Sequence, residues 1–230
     1  MRLAIIVPTL NEAATIGPTL AQLSVLRGRG ARVIVADGGS HDDTFVQAAA
    51  LSDEIVNAPR GRSLQMNAGA RAAEAQDADV LLFLHADTRV PPEADRAIAR
   101  ALATSRRVWG RFDVRIEGAS PWLAVVARLM NLRSRASGIC TGDQAIFVTR
   151  GAFLALQGFA PIPLMEDIEF SGRARRLSPP IALRDRVVTS GRRWRRSGLW
   201  RTILLMWRLR LAYLFGADPE ELALRYPDAR

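Results

Sequence analysis

Acidic side chains occur at three places where their type and spacing could do chemistry: Asp37, Asp87 and the pair Glu166-Asp167. Asp37 and Asp87 each stand at the end of an apolar run that reads as a buried strand. Mg²⁺ and Mn²⁺ bind hard oxygen ligands and commonly bridge one or two carboxylates to substrate phosphates. Asp37 also opens a Gly-rich turn, where its carboxylate could accept N–H groups from a base or ribose. These positions predict a metal-assisted reaction of a phosphorylated ligand.

The first half of the chain alternates short β-branched runs with Ala-rich segments. The continuous apolar runs predict buried strands at Leu3–Val7, Arg32–Ala36 and Val80–His85. The segments between them predict helices at Pro18–Leu26, Asp43–Leu51 and Ser63–Gln76, with Pro18 in a first helical turn. Strands and helices in this order indicate a parallel sheet with crossover helices.

The pattern changes beyond about residue 105. Val108–Glu117 alternates like an antiparallel strand, and Trp122–Leu132 is typical of a helix. We therefore expect an α/β fold with a mostly parallel sheet and a less regular second half. Ligands of such sheets bind beyond the carboxyl ends of the strands. The sequence has neither G-x-G-x-x-G nor a P-loop, which disfavours a dinucleotide-dependent dehydrogenase and an ATPase.

Composition narrows the class of protein. The 230 residues are 49% hydrophobic and 24% charged, which suits one ordinary domain and excludes a disordered or fibrous chain. The single cysteine, Cys140, cannot form an internal disulfide, and we expect it to be a packed small residue rather than a nucleophile. The apolar run at the N-terminus is too short for a signal peptide, so a cytoplasmic location is expected.

Positive charge is concentrated near the C-terminus. All 32 basic residues are arginine, and nine of them lie between Arg184 and Phe215 with one acid, Asp185. This segment thus carries +8 of the net charge of +9. Such a block favours an anionic partner, which could be lipid headgroups, nucleic acid or phosphate.

Six motifs together carry a resemblance. IIVPTLNEAATI, VIVADGGSHDDT, RGRSLQMNAGA, FLHADT, GDQAIFV and MEDIEFSGRARR follow one another between about residues 3 and 176. In order and spacing they resemble the family-2 glycosyltransferases of the GT-A fold, in particular small bacterial members with a basic, Trp-rich tail. The resemblance implies a GT-A domain over 1–190, with a Rossmann-like nucleotide-binding half over about 1–105 and an acceptor half over about 106–190. A basic helical tail, 191–230, would follow.

The resemblance also implies roles for single residues. The donor, a nucleotide-diphospho-sugar with UDP favoured, would contact Pro8, Thr9, Glu12, Asp37, Arg62, Asn67 and Ala86. Mn²⁺ or Mg²⁺ would be held by Asp87 and His85. His85 stands where the family has the first acid of its D-x-D motif, and Gly38 replaces the second acid of its D-D-G-S turn. A single aspartate would lower metal affinity, or the softer His85 would favour Mn²⁺.

The same resemblance implies an enzyme that inverts the anomeric carbon. Asp167, beside Glu166, would be the general base that deprotonates a hydroxyl acceptor, with a lipid-linked acceptor as one option. Gly142, Asp143 and Gln144 would line the acceptor side. Arg192 and Arg193, in a stretch that resembles the family's tail motif, could face the diphosphate.

The tail leaves alternatives open. Leu199–Phe215 is apolar but contains Arg201, Arg208 and Arg210, so a membrane span is disfavoured. Its tryptophans and arginines suit an interfacial helix, in which 192–215 would hold the protein peripherally on an anionic inner membrane face. Equally, the helix could pack on the domain. Two other functions are alternatives: a binder of anionic surfaces or nucleic acid, and a sugar-nucleotide pyrophosphorylase. No nucleic-acid partner is expected, and the oligomeric state is left open.

Overall fold

The computed structural model describes residues 1–226, apart from the side chain of residue 75, and this part contains one sheet of eight strands. The strands are β1 (Leu3–Thr9), β2 (Arg32–Asp37), β3 (Glu54–Asn57), β4 (Val80–Phe83), β5 (Thr88–Arg89), β6 (Trp109–Glu117), β7 (Ile146–Thr149) and β8 (Ile181–Ser190). Their order across the sheet is β3-β2-β1-β4-β7-β6-β8-β5.

Helices cover both faces of this sheet. They are α1 (Ala13–Gln22), α2 (Ser24–Arg27), α3 (Thr44–Ala49), α4 (Arg62–Ala75), α5 (Ala94–Ala103), α6 (Trp122–Ser137), α7 (Arg150–Ala155), α8 (Glu166–Leu177), α9 (Arg192–Ser197), α10 (Leu199–Leu214) and α11 (Pro219–Leu224). A short 3₁₀ turn spans Gly142–Gln144. The predicted α/β class with a mostly parallel sheet is confirmed.

Strands β1, β2 and β4 pair in parallel, as their continuous apolar runs predicted, and β3 pairs in parallel with β2. Ile5 and Ile6 illustrate the reason, because neighbouring side chains of a strand point to opposite faces. Ile5 packs into the hydrophobic core on one face and Ile6 into the core on the other, and both are fully buried. Each strand therefore requires apolar residues at consecutive positions.

Several details of the first half differ from the expectation: β3 was not predicted, and the helix predicted at Pro18–Leu26 is divided between α1 and α2. Helix α1 begins at Ala13, so Pro18 is its sixth residue and lies inside the helix, not in the first turn. The earlier start is supported by the Glu12 carbonyl, which accepts the N–H groups of Thr15 and Ile16. Strand β4 ends at Phe83, two residues before the predicted end, which places position 85 in the following loop.

The second half is mixed, as its changed pattern indicated. Strand β6 is antiparallel to β7, as predicted, but its other edge pairs in parallel with β8. The far end of β8 reaches the segment after β4, where the Ser190 N–H donates to the Asp87 carbonyl at 3.2 Å. The chain therefore enters α9 directly beside Asp87.

The C-terminal helices pack on the domain through one side. Leu209 of α10 and Leu222 of α11 join a small core with Leu164 and Met165, which precede α8. Residues 227–230 of the predicted tail lie outside the described part of the chain. Within residues 1–226, no helix combines the length and the apolar character needed to cross a membrane.

Candidate active site

A cleft of about 240 Å³ opens at the carboxyl ends of β1 and β4, and we name it the strand-end cleft. The loop after β1 contributes Pro8, Thr9 and Glu12 to its lining, and the loop after β4 contributes Ala86 and Asp87. Parallel neighbours in a sheet end at the same edge, so two segments about 75 residues apart in the sequence face one space.

Arginines also line the strand-end cleft. Arg62 comes from the first turn of α4, while Arg192, Arg193 and Arg196 come from α9 together with Trp194. Four guanidinium groups over a cleft of this size make it suited to a multiply charged anion, since arginine recognises phosphate through paired hydrogen bonds.

An ion-pair network joins α9 to the strand ends. Arg192 Nη2 lies 3.1 Å from Glu12 Oε2 and 3.9 Å from Asp87 Oδ2. Burial raises the pKa of Asp87, and the carboxylates of Asp143 and Glu12 raise it further, against the opposing charges of His85 and Arg192. A further cation beside Asp87 would therefore stabilise the charged form of its carboxylate.

His85 is held by the 3₁₀ turn rather than by Asp87. Its Nδ1 lies 3.4 Å from Asp143 Oδ1, and its buried Nε2 has no hydrogen-bond partner among the described residues. The ring packs against Gly142, where any Cβ would overlap the imidazole. His85 and Asp143 support each other, since the hydrogen bond and charge of His85 hold the pKa of Asp143 well below its usual range although burial raises it.

The side chains that could ligate a metal at the cleft are only partly suited to a divalent cation. Among residues 1–226, no group of three or more His, Cys, Asp or Glu side chains could hold a metal ion by itself. Asp87, Asp143 and Glu12 are acids that line the cleft with His85, whose Nε2 has no hydrogen-bond partner among the described residues. A cation that binds through one or two protein ligands and completes its coordination with phosphate oxygens and water is compatible with this set.

A second space, of about 50 Å³, adjoins the cleft, and we name it the inner cavity. Asp167 lies in it, at the start of α8, and both of its carboxylate oxygens accept backbone N–H groups. Gly142 N–H donates to Oδ2 at 2.8 Å, and Ile168 N–H donates to Oδ1 at 2.7 Å. These bonds fix the direction of the carboxylate in the inner cavity.

Glu166 is buried beside Asp167 and pairs with Arg62 at 3.3 Å. Burial raises the pKa of Glu166, and Asp167 adds to the rise, while Arg62 lowers it. Arg62 lines both the strand-end cleft and the inner cavity, so this ion pair stands where the two spaces meet.

The sequence profile described as glycosyl transferase family 2 matches residues 4–154, about two thirds of the chain. The chain belongs to glycosyl transferase family 2. No curated protein matches the sequence significantly.

Solved structures of glycosyltransferases share the fold of this family-2 chain. Residues 1–349 of S. aureus TarS, in complex with UDP-GlcNAc, superpose with a TM-score of 0.63 at 16% identity, covering 83% of this chain and 58% of that one. This chain thus spans little more than half of that TarS structure. Glucosyl-3-phosphoglycerate synthase from Mycobacterium tuberculosis, with Mn²⁺, UDP and phosphoglyceric acid, has a TM-score of 0.63 at 20% identity, covering 94% and 79%.

Three of the predicted site residues of this family-2 chain line neither the strand-end cleft nor the inner cavity. Asp37 is 5% exposed, and its carboxylate accepts bonds from Thr9, Gly39 and Ser40, which closes the turn after β2. The amide of Asn67 exchanges two hydrogen bonds with the backbone of Phe159. Gln144 is fully buried and bonds within its own turn and to Asn131.

Other side chains line the site of this family member without having been predicted. Gln65 of α4 is buried and donates to the carbonyls of Thr9 and Ala36, so it ties α4 to the ends of β1 and β2. Trp194 and Arg196 face the strand-end cleft. The arginine block signalled an anionic partner, and only the pairing of β6 with β8 reveals where that block lies.

Proposed function

We propose that this family-2 chain transfers a sugar from a nucleotide-diphospho-sugar, with UDP as the favoured nucleotide, to a hydroxyl acceptor with inversion. The observation that carries the proposal is the junction at Arg62, where an arginine-lined cleft meets a cavity that holds an oriented aspartate, Asp167. The UDP-GlcNAc in the TarS structure and the UDP in the synthase structure support the choice of nucleotide.

The diphosphate of the donor is assigned to the strand-end cleft. Arg62, Arg192, Arg193 and Arg196 offer positive charge there, and the acids Glu12 and Asp87 keep Arg192 in place before the donor arrives. Preorganised cations stabilise the charge that develops on the departing diphosphate without reorganisation during the reaction. Pro8, Thr9 and Ala86 form the wall nearest the strand ends.

Asp167 is assigned as the general base. It takes the proton of the acceptor hydroxyl while the hydroxyl oxygen forms a bond to the anomeric carbon from the face opposite the diphosphate. The bond between that carbon and the β-phosphate oxygen breaks, and its electron pair leaves with the nucleoside diphosphate. Gly142 orients the base through its N–H group, and the adjoining Asp143 lines both spaces.

A divalent cation, Mn²⁺ or Mg²⁺, would be held by Asp87, with His85 as the neighbouring candidate ligand. When bound, such a cation supplies Lewis-acid stabilisation of the leaving diphosphate. Arg192 lies 3.9 Å from Asp87 and contributes positive charge at the same place without a metal.

Contact with an anionic membrane is part of the proposal, and α10 supports it. Six large apolar side chains of its segment are between 48% and 88% exposed: Trp200, Leu204, Trp207, Leu211, Leu214 and Phe215. Their spacing of three, four and seven residues places them on one side of the helix. Exposed arginines flank this side at 201 and 208. We name these six side chains the α10 stripe. Tryptophan beside arginine is typical of helices that lie in a bilayer interface.

The two alternative functions have less support. The match to the family-2 profile disfavours a sugar-nucleotide pyrophosphorylase. A binder of nucleic acid would use the arginines of α9, but three of these face the strand-end cleft and Arg192 is paired with Glu12.

The proposal is tested by thermal unfolding with UDP, GDP, CDP, dTDP or ADP, each with Mn²⁺, Mg²⁺ or a chelator. A ligand at a hundred times its dissociation constant adds about 2.7 kcal/mol to the free energy of unfolding. We expect UDP to stabilise most, and Asp87→Ala to remove the part that depends on metal. No stabilisation by any of the five nucleotides would contradict the proposed function.

A further inference from the structure

A groove of about 650 Å³ lies between the C-terminal half of α6, helix α8 and helix α10, outside the two spaces described above. We name it the helical groove. Its apolar lining includes Ile139, Trp207, Leu211 and Leu214. The last three belong to the α10 stripe, so the apolar wall of the groove continues onto the exposed surface of the helix.

Two arginines that line the helical groove have buried nitrogen atoms without a hydrogen-bond partner in the described part of the chain. Nε and Nη2 of Arg133 and Nε of Arg210 are inaccessible to solvent and make no hydrogen bond to any described residue. Burial, followed by the positive charge of Arg210, lowers the pKa of Arg133 to about 10. Buried cations are ordinarily paired, since an unpaired buried charge is costly. Uncompensated guanidinium groups in a groove therefore indicate a site for an anion.

Little negative charge balances this site. Glu169 is the one acid that lines the helical groove, and Arg173 already pairs with it at 2.5 Å. Arg175 and Arg176, at the exposed rim, add further positive charge. A phosphate monoester complements this arrangement better than a carboxylate does, because it carries more negative charge, about −1.5 to −2 at pH 7, and three acceptor oxygens.

The helical groove also leads to the proposed base. Arg210 and Ile168 line both the groove and the inner cavity, and the N–H of Ile168 is bonded to Asp167. Asp167 is also close enough for its charge to act on Arg133. A molecule whose phosphate lies between Arg133 and Arg210 would thus hold its polar end beside Asp167 and its apolar end along the α10 stripe.

We infer that the helical groove binds the acceptor of the proposed transfer, and that this acceptor is an amphiphile that carries a phosphate group between its reacting hydroxyl and an apolar chain. The assignment of the bound molecule as the acceptor rests on the proposed function. The groove and its arginine nitrogens without hydrogen-bond partners do not depend on that function. Arg133 and Arg210 bind the phosphate, and Trp207, Leu211 and Leu214 contact the chain.

The test measures binding of dodecyl phosphate below its micellar concentration, with inorganic phosphate and the uncharged dodecyl maltoside as the other probes, by calorimetry on the full chain. We expect dodecyl phosphate to bind at least tenfold more tightly than either. Arg133→Gln combined with Arg210→Gln should weaken its binding at least tenfold. The matched control is Arg208→Gln, which removes an exposed arginine of α10 outside the groove and should change binding less than twofold.

A second pair of variants tests the apolar part. Gly172 of α8 lines the helical groove, and a Cβ there meets nothing within 4 Å, so the side chain introduced by Gly172→Leu starts in open space at the groove. It should weaken dodecyl phosphate binding at least tenfold. Gly151→Leu, at an equally open position of α7, is the control and should have no effect.

Three results would overturn the inference: equal binding of dodecyl phosphate by the arginine double variant, an equal loss in Arg208→Gln, or inorganic phosphate binding as tightly as dodecyl phosphate. The last would indicate a site for free phosphate instead of a lipid phosphate. Stabilisation of the wild-type protein by UDP is measured in parallel. If UDP does not stabilise the protein, the proposed function is contradicted. The binding of dodecyl phosphate would still show whether the helical groove binds an amphiphilic phosphate.

Discussion

Arg192 Nη2 lies 3.1 Å from the Oε2 atom of Glu12, although the two residues are 180 positions apart in the sequence. Glu12 follows β1, at the edge where a parallel sheet binds ligands, and its side chain is 8% exposed. Arg192 is the first residue of α9. This pair therefore makes the start of the basic C-terminal segment a wall of the strand-end cleft.

Replacement of this arginine should weaken nucleotide binding. We expect Arg192→Ala to lower the affinity for UDP about tenfold, because a hydrogen bond to a charged group contributes about 1.5 kcal/mol or more. Arg195→Ala is the matched control, since Arg195 belongs to the same helix but is exposed and does not line the cleft. Isothermal titration with UDP measures both. An equal loss in the two variants would show that only the overall charge matters.

Loss of the proposed base should separate binding from turnover. Asp167→Asn keeps the size of the side chain and removes its ability to take a proton, so kcat should fall about 10²- to 10⁴-fold. The affinity for UDP should stay within twofold, because Asp167 lies in the inner cavity rather than in the strand-end cleft. Release of UDP from the donor sugar reports turnover. Asp185→Asn, an exposed change of the same chemistry, serves as the control, and turnover unchanged in Asp167→Asn would refute the assignment of the base.

The strand-end part of the site could be predicted because it depends on local rules. Apolar runs locate β1, β2 and β4, and parallel pairing then sets Thr9 opposite Asp37 in the register of the sheet. The polar segments that follow the strands must share one edge. The apolar runs therefore predict Asp37 and Asp87 at one edge of the sheet, whereas the role of Glu12 was implied only by the resemblance.

What the sequence could not reveal depends on partners far along the chain. Asn67 lies in a helix that approaches the site, yet its amide is consumed by the backbone of Phe159, 92 positions away. The location of α9 follows from the parallel pairing of β6 with β8. The alternating pattern of β6 indicated only an antiparallel neighbour. Arg133 and Arg210 look like solvated charges in a helix, and only their packing shows that polar atoms of both are buried.

Membrane association should depend on Trp200 and Leu204, at the N-terminal end of the α10 stripe. Trp200→Ser with Leu204→Ser removes two side chains that are 64% and 62% exposed and that do not line the helical groove. Burial of each such side chain contributes about 1.5–3 kcal/mol, so partitioning onto vesicles should fall more than tenfold. Co-sedimentation with phosphatidylcholine vesicles, with and without phosphatidylglycerol, measures this loss.

The control for the vesicle experiment is Phe45→Ser with Val46→Ser on α3, which removes exposed apolar surface from another helix. Binding should remain unchanged in that variant. Binding of the wild-type protein to vesicles with phosphatidylglycerol should also weaken as the salt concentration rises, since exposed arginines supply the attraction to anionic lipid. If the α3 variant lost as much binding as the α10 variant, the stripe would have no special role.

Stability at alkaline pH should reflect Cys140. The thiol is fully buried beside Ser134 and Ser171, and burial raises its pKa to about 11. In the unfolded chain a thiol titrates near pH 8.5, so the folded state retains its proton more strongly. The stability due to Cys140 is therefore complete below about pH 8.5 and is lost as the pH rises towards 11. The free energy of unfolding should fall by about 2–3 kcal/mol more in the wild-type protein than in Cys140→Ala over this range, as measured by urea unfolding. The native thiol should also resist alkylation at pH 8 and react fully in denaturant. Rapid alkylation of the folded protein at that pH would show that Cys140 is accessible and contradict its role as a packed core residue.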